Sequence, residues 1–141
     1  MPNTIQQTVV LPAPPEKLYD MYMSRKIHAE IIGQPVIISR TADSSFRAFG
    51  GMIIGRTLQA VPKHLIVQSW RSRDWKQEDL DSTLIISFWP DKDGGRIELT
   101  HVNVPEHDYE GVNLGWEKYY WKPWREYLGA KEGGSRIRKA A

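Results

Sequence analysis

The sequence predicts an α+β fold in which a seven-stranded antiparallel β-sheet curves around one long C-terminal helix. Three observations predict it. Between residues 35 and 104, apolar residues recur with a period of two in six runs, and the connectors are short enough for an antiparallel meander. A seventh run opens the chain and is followed by two short helical patterns. In 115–128, Trp116, Tyr120, Trp121, Trp124, Tyr127 and Leu128 fall within one arc at about 100° per residue, with Lys118, Lys122, Arg125 and Glu126 opposite. Three Trp on one face need a concave surface to lie against, and only the sheet is large enough to supply it.

The elements follow in order. Thr4 to Leu11 reads as a strand with Ile5, Gln7, Val9 and Leu11 on one face, and Pro12, Pro14 and Pro15 end it. Proline is tolerated in a first helical turn, so Pro15 to Met23 reads as a short helix. Ser24 can cap a second one, Arg25 to Ile32, which Gly33 terminates. Six strands are expected next: Pro35 to Arg40, Phe46 to Phe49, Met52 to Val61, His64 to Arg73, Ser82 to Trp89 and Arg96 to Val104. Their separators, among them Gly50-Gly51, Pro62-Lys63 and Pro90 through Gly95, are turn formers. The polar stretch Ser72 to Asp81 reads as a loop around Trp75. Pro105 stops the last strand and the long helix starts near Tyr109 to Asn113. Pro123 removes one backbone bond inside that helix, so a kink or break is expected near Tyr119.

Bulk properties bound the class. At 141 residues the chain reads as one domain over 1–129 with a basic, flexible tail over 130–141. The lack of Cys excludes disulfides, thiolate metal sites and a cysteine nucleophile. A formal charge of +2 is too small to imply a polyanionic partner such as nucleic acid, and Lys131, Arg136, Arg138 and Lys139 against Glu132 already supply +3. No apolar run approaches the ~18 residues that cross a bilayer. A cytoplasmic location is expected, with monomer and homodimer both open.

The residues also carry a resemblance. Ala13-Pro14-Pro15-Glu16-Lys17-Leu18-Tyr19, Ser24-Arg25-Lys26-Ile27-His28-Ala29 and Phe49-Gly50-Gly51-Met52-Ile53-Ile54-Gly55 are the first motifs. Ile66-Val67-Gln68-Ser69-Trp70-Arg71, Asp74-Trp75, Leu99-Thr100-His101 and Gly115-Trp116 through Tyr119-Tyr120-Trp121-Lys122-Pro123 follow. Together, over about residues 4 to 128, they resemble the activator-of-heat-shock-protein-90-ATPase homologue family of the START-like (SRPBCC) superfamily, in its small bacterial single-domain form. Gly94-Gly95 before Arg96 departs from the Gly-Gly-Thr common in the family. The resemblance implies a helix-grip fold with an apolar cavity between helix and sheet, and a chaperone as a possible partner. The chaperone-binding N-terminal domain of the eukaryotic activator has no counterpart in this sequence.

The cavity expected from face assignments is lined by Trp70, Phe88, Leu99, Trp116, Tyr120, Trp121 and Trp124, with Gln68, His101, Asn113 and Glu117 as polar points. Such a site suits a small hydrophobic or aromatic molecule and needs no cofactor. Glu117 falls in the middle of the aromatic arc, and His101 shares a face with Ile97 and Leu99. An acid/base pair of His101 and Glu117 is the candidate chemistry, and an enzyme of the cyclase, aromatase or hydrolase type is the alternative it supports. The preferred reading of the pair is a buried His satisfied by a neighbour and a Glu wetted at the cavity mouth. No His stands at ligand spacing from a carboxylate, so no metal is expected. Gly-x-Ser-x-Gly, phosphate-loop and dinucleotide motifs are absent.

Overall fold

The computed structural model describes residues 3–129; the basic tail expected over 130–141 lies outside them. β1 (Asn3–Leu11) is followed by α1 (Pro15–Met23) and α2 (Arg25–Ile32). Next come β2 (Ser44–Ala48), β3 (Ile53–Val61), β4 (Leu65–Ser72), β5 (Ser82–Asp91) and β6 (Gly94–Val104). α3 (Tyr109–Trp116) runs into a π-helical turn, Glu117–Trp121, and 122–129 continue as α-helix. The strands form one antiparallel sheet in the order β1-β6-β5-β4-β3-β2. No helix among the described residues is long and apolar enough to cross a membrane.

The sheet has six strands, not the seven expected. Residues 35–40 show the alternating burial of a strand, with Val36 and Ile38 inside, yet they make only the isolated bridge Ile37 to Arg47. Side chains bond its carbonyls instead: Ser44 Oγ donates to Ser39 O, which the next ladder bond to β2 would use, and Arg25 Nε donates to Ile38 O on the outer edge. Elsewhere period two holds. Cross-strand partners Gln68, Leu84 and His101 continue to Ile5 along one inward row, and all four are buried. At Gly55 a Cβ would lie 1.9 Å from Ser69 O, so only glycine allows β3 and β4 to approach there.

The helix caps follow the sequence. Ser24 Oγ accepts from the Ile27 N–H, and Gly33 takes the left-handed C-cap of α2 at φ 72°.

The long helix answers Pro123 by widening, not breaking. A π turn acts as a one-residue insertion and sets the wheel back by about 100° over its length. Without it, Trp121 and Leu128 would stand ~140° and ~120° from Trp116. With it, Val112, Trp116, Tyr120, Trp121, Trp124 and Leu128 form one narrow buried stripe. At its start the Glu117 N–H turns to Leu114 O, and Gln7 Nε2 of β1 takes the Asn113 carbonyl and Oδ1, each at 2.9 Å. Gln7 Oε1 also accepts from Trp121 Nε1 at 2.7 Å. One edge-strand side chain thus fastens the helix where its backbone changes register.

Candidate functional site

A cleft of about 520 Å³ opens between the helix and one end of the sheet. Val112, Gly115, Trp116, Tyr119 and Tyr120 form the helix wall, and Trp70 and Ser72 at the end of β4 form the floor. Gln34, Phe49, Met52 and Ile53 face the helix, while Asp108 stands before α3 with Gly111 one turn on. Phe49 holds the left-handed φ of 54°, an unfavourable backbone for an aromatic residue, and Gly50 and Gly51 complete the turn at 66° and 99°. The turn brings the Phe49 ring edge-on to Tyr119 and Tyr120 at 5.5 and 6.0 Å. Trp116 continues the aromatic wall, 4.7 Å from Tyr120 and 6.4 Å from Trp70.

Two buried histidines stand behind this wall, each locked in a single tautomer. Trp116 Nε1 can only donate, so at 3.2 Å it makes His101 Nδ1 the acceptor. His101 Nε2 therefore carries the proton and donates to Ser82 Oγ at 2.8 Å, and Ser82 donates onward to Trp70 O at 2.6 Å. This direction is the reverse of a histidine activating a serine nucleophile. His28 has the opposite tautomer: Nδ1 donates to Tyr22 O at 2.8 Å and Nε2 accepts from Tyr120 O–H at 2.9 Å. Burial pushes the pKa of His28 down to about 4 and that of His101 to about 3. Both are neutral at physiological pH.

Of the site residues expected from the sequence, Trp70, Trp116 and Tyr120 line the cleft. His101 lies one layer deeper, its ring 4.7 Å from Trp70 and 5.8 Å from Trp116. Phe88, Leu99, Trp121 and Trp124 are core. Gln68 is core too, accepting from Tyr22 O–H at 2.7 Å and donating to Thr57 Oγ1 at 3.3 Å. Asn113 is held by Gln7. Glu117 is not among the aromatic side chains. It is exposed and paired with Arg125 at 2.6 Å, beside a separate surface depression between β1 and the helix. The π turn explains the difference, because it leaves Glu117 about 100° from the re-centred stripe and only ~20° from Arg125. His101 and Glu117 are therefore not brought together.

Sequence reasoning missed Gln34, Phe49, Met52, Ser72 and Asp108 as cleft residues. Their segments meet only in the fold, and no periodicity marks them. His28 had a signal, since it stands three residues before Ile31 on the buried face of α2. Asp108 Oδ2 accepts from Trp75 Nε1 at 2.6 Å, tying the β4–β5 loop to the start of the helix. No group of three or more metal-ligating side chains occurs among the described residues.

Comparison with known proteins agrees with this geometry. The family model described as Activator of Hsp90 ATPase homolog 1-like protein matches residues 12–129. The mouse "Activator of 90 kDa heat shock protein ATPase homolog 2" is 23% identical over 107 residues, 76% of this chain and 32% of that protein. Human homolog 1 is 21% identical over 115 residues, 82% of this chain and 34% of that protein. The chain thus spans about a third of the length of these curated relatives. The crystal structure of an HSP90 activator from Plasmodium falciparum superposes with a TM-score of 0.81 at 24% identity, covering 89% of this chain and 96% of that one.

Proposed function

The chain belongs to the Activator of Hsp90 ATPase homolog 1-like family, and on that premise we propose that it is a cytoplasmic binding module that takes a small hydrophobic or aromatic molecule into the cleft between helix and sheet. The observation that carries this reading is the cleft itself: about 520 Å³ of space walled by Phe49, Trp70, Trp116, Tyr119 and Tyr120. A pocket of a few hundred Å³ with aromatic walls and a few polar groups is the usual form of a small-molecule site. Trp70, Trp116 and Tyr120 supply the contact area. Buried hydrogen bonds to His101 and His28 hold the Trp116 and Tyr120 rings, so little side-chain freedom is lost on binding.

Titration with N-phenyl-1-naphthylamine, a neutral aromatic probe, tests the reading. Saturable one-to-one binding with a change in tryptophan fluorescence is expected, as is a small-molecule adduct in native mass spectra of protein taken from its source. Neither a saturable signal nor an adduct would leave the reading without support.

A second reading is favoured by the mouse and human relatives, both named as homologs of an activator of a heat-shock-protein ATPase. In it the domain also contacts a chaperone of that class. Stimulation of a purified Hsp90-type ATPase by the full chain supports it, and unchanged turnover at saturating protein rejects it.

A further inference from the structure

From the charges and ring faces of the cleft we infer that its preferred ligand is an organic cation: an aromatic or apolar body carrying an ammonium group. The inference rests on the binding reading above and adds to it the sign of the ligand's charge.

Three observations converge. Among the described residues, Asp108 is the one formally charged side chain lining the cleft. Its Oδ2 is occupied by the Trp75 indole N–H, while Oδ1 has no hydrogen-bond partner among the described residues. Gly111 keeps the space beside that oxygen open, since a Cβ there would lie 3.1 Å from Oδ1. A carboxylate with one oxygen fixed by a neutral donor and the other free is a receptor for an N–H cation.

The walls point the same way. Aromatic faces carry negative potential, and a cation within about 6 Å of a ring centroid is attracted, more strongly when water is excluded. Phe49, Trp70, Trp116 and Tyr120 bring four such rings to the lining of one space. Tyr119 counts for less because Lys118 Nζ already lies 5.2 Å from its centroid. An anion would meet the Asp108 carboxylate and these same faces. A neutral aromatic would bury its rings but leave Oδ1 unpaired.

The test uses three ligands that share one ring system. At pH 7, 1-naphthylmethylamine is a cation, 1-naphthalenemethanol is neutral and 1-naphthoic acid is an anion. Calorimetric titration of the full chain should rank them in that order, the amine roughly tenfold tighter than the alcohol, as expected for a carboxylate contact plus ring-face attraction. In Asp108→Asn the amide oxygen can still accept from Trp75, and the amine-to-alcohol ratio should fall severalfold, to the smaller preference that the rings supply alone. Thermal melts of the variant report whether the fold is kept. Saturable binding of the alcohol with an amine no tighter overturns the charge assignment and leaves the binding module standing. An amine preference undiminished in Asp108→Asn overturns the role of Asp108. Failure of all three ligands to bind removes both the inference and the reading beneath it.

Discussion

The indole N–H of Trp116 donates to Nδ1 of His101 at 3.2 Å, and this one contact connects the wall of the cleft to the core of the sheet. It fixes the imidazole tautomer, and through Ser82 it extends to the backbone carbonyl of Trp70, the other large ring of the cleft. Trp116 and Trp70 are thus held by opposite ends of the same chain of hydrogen bonds. A protonated His101 would turn an N–H toward the Trp116 N–H and break that chain.

Stability should therefore fall with acid. The unfolded histidines titrate near 6.5, while burial holds His28 at about 4 and His101 at about 3. Between pH 6.5 and about 4 the unfolded state binds two more protons than the native state. Stability from these groups is complete above pH 6.5 and is lost as pH falls toward the folded values. Each group contributes about 1.4 kcal/mol per pH unit inside the window, so the loss from pH 7 to pH 5 is on the order of 3–4 kcal/mol. Urea unfolding at the two pH values checks this, and equal midpoints would contradict it.

The two residues once paired as candidate acid and base should behave differently. His101→Ala leaves Trp116 Nε1 and Ser82 Oγ short of a partner and opens a void, at a cost of about 3 kcal/mol. Glu117→Gln touches only an exposed ion pair with Arg125 and should cost under ~1 kcal/mol. Its affinity for an aromatic probe should stay at the wild-type value. Chemical denaturation and probe titration of both variants test the distinction, and a Glu117→Gln variant unable to bind the probe would contradict the placement of Glu117 outside the cleft.

Gln7 is expected to matter more than a half-buried glutamine on an edge strand usually does. Gln7→Ala removes three hydrogen bonds at the π turn, among them the partner of the buried Trp121 N–H. A loss of about 2 kcal/mol is expected, with faster amide exchange over 113–121. Unaltered exchange there would show that the π turn does not depend on β1.

The inward faces of the strands were readable because alternation reports burial directly. Ile66, Gln68 and Trp70, and Ile97, Leu99 and His101, all point inward as the sequence implied. Alternation does not report pairing, and so 35–40 looked like a strand although side chains intercept its carbonyls. The site was less legible. A wheel turned at 100° per residue placed Glu117 among the tryptophans, and only the π turn moves it out. Pro123 announced a disturbance in the helix but not that one extra residue would be absorbed. Asp108 and Phe49 gave no signal, because their place in the cleft depends on one loop tie and one left-handed backbone.

The cleft is most directly tested by filling it without harming the fold. Gly115 lines the cleft from the helix, and a Cβ there meets only the Tyr119 ring, at an ordinary 3.5 Å. Replacing a helical glycine gains up to ~1 kcal/mol of helix propensity, so Gly115→Leu should melt no lower than wild type while its side chain occupies the ligand's space. Fluorescence titration with N-phenyl-1-naphthylamine should show affinity at least about tenfold weaker in Gly115→Leu, as expected when the apolar space of a binding pocket is lost. Wild-type affinity in a folded Gly115→Leu protein would mean that the probe binds elsewhere and that this cleft is not the site.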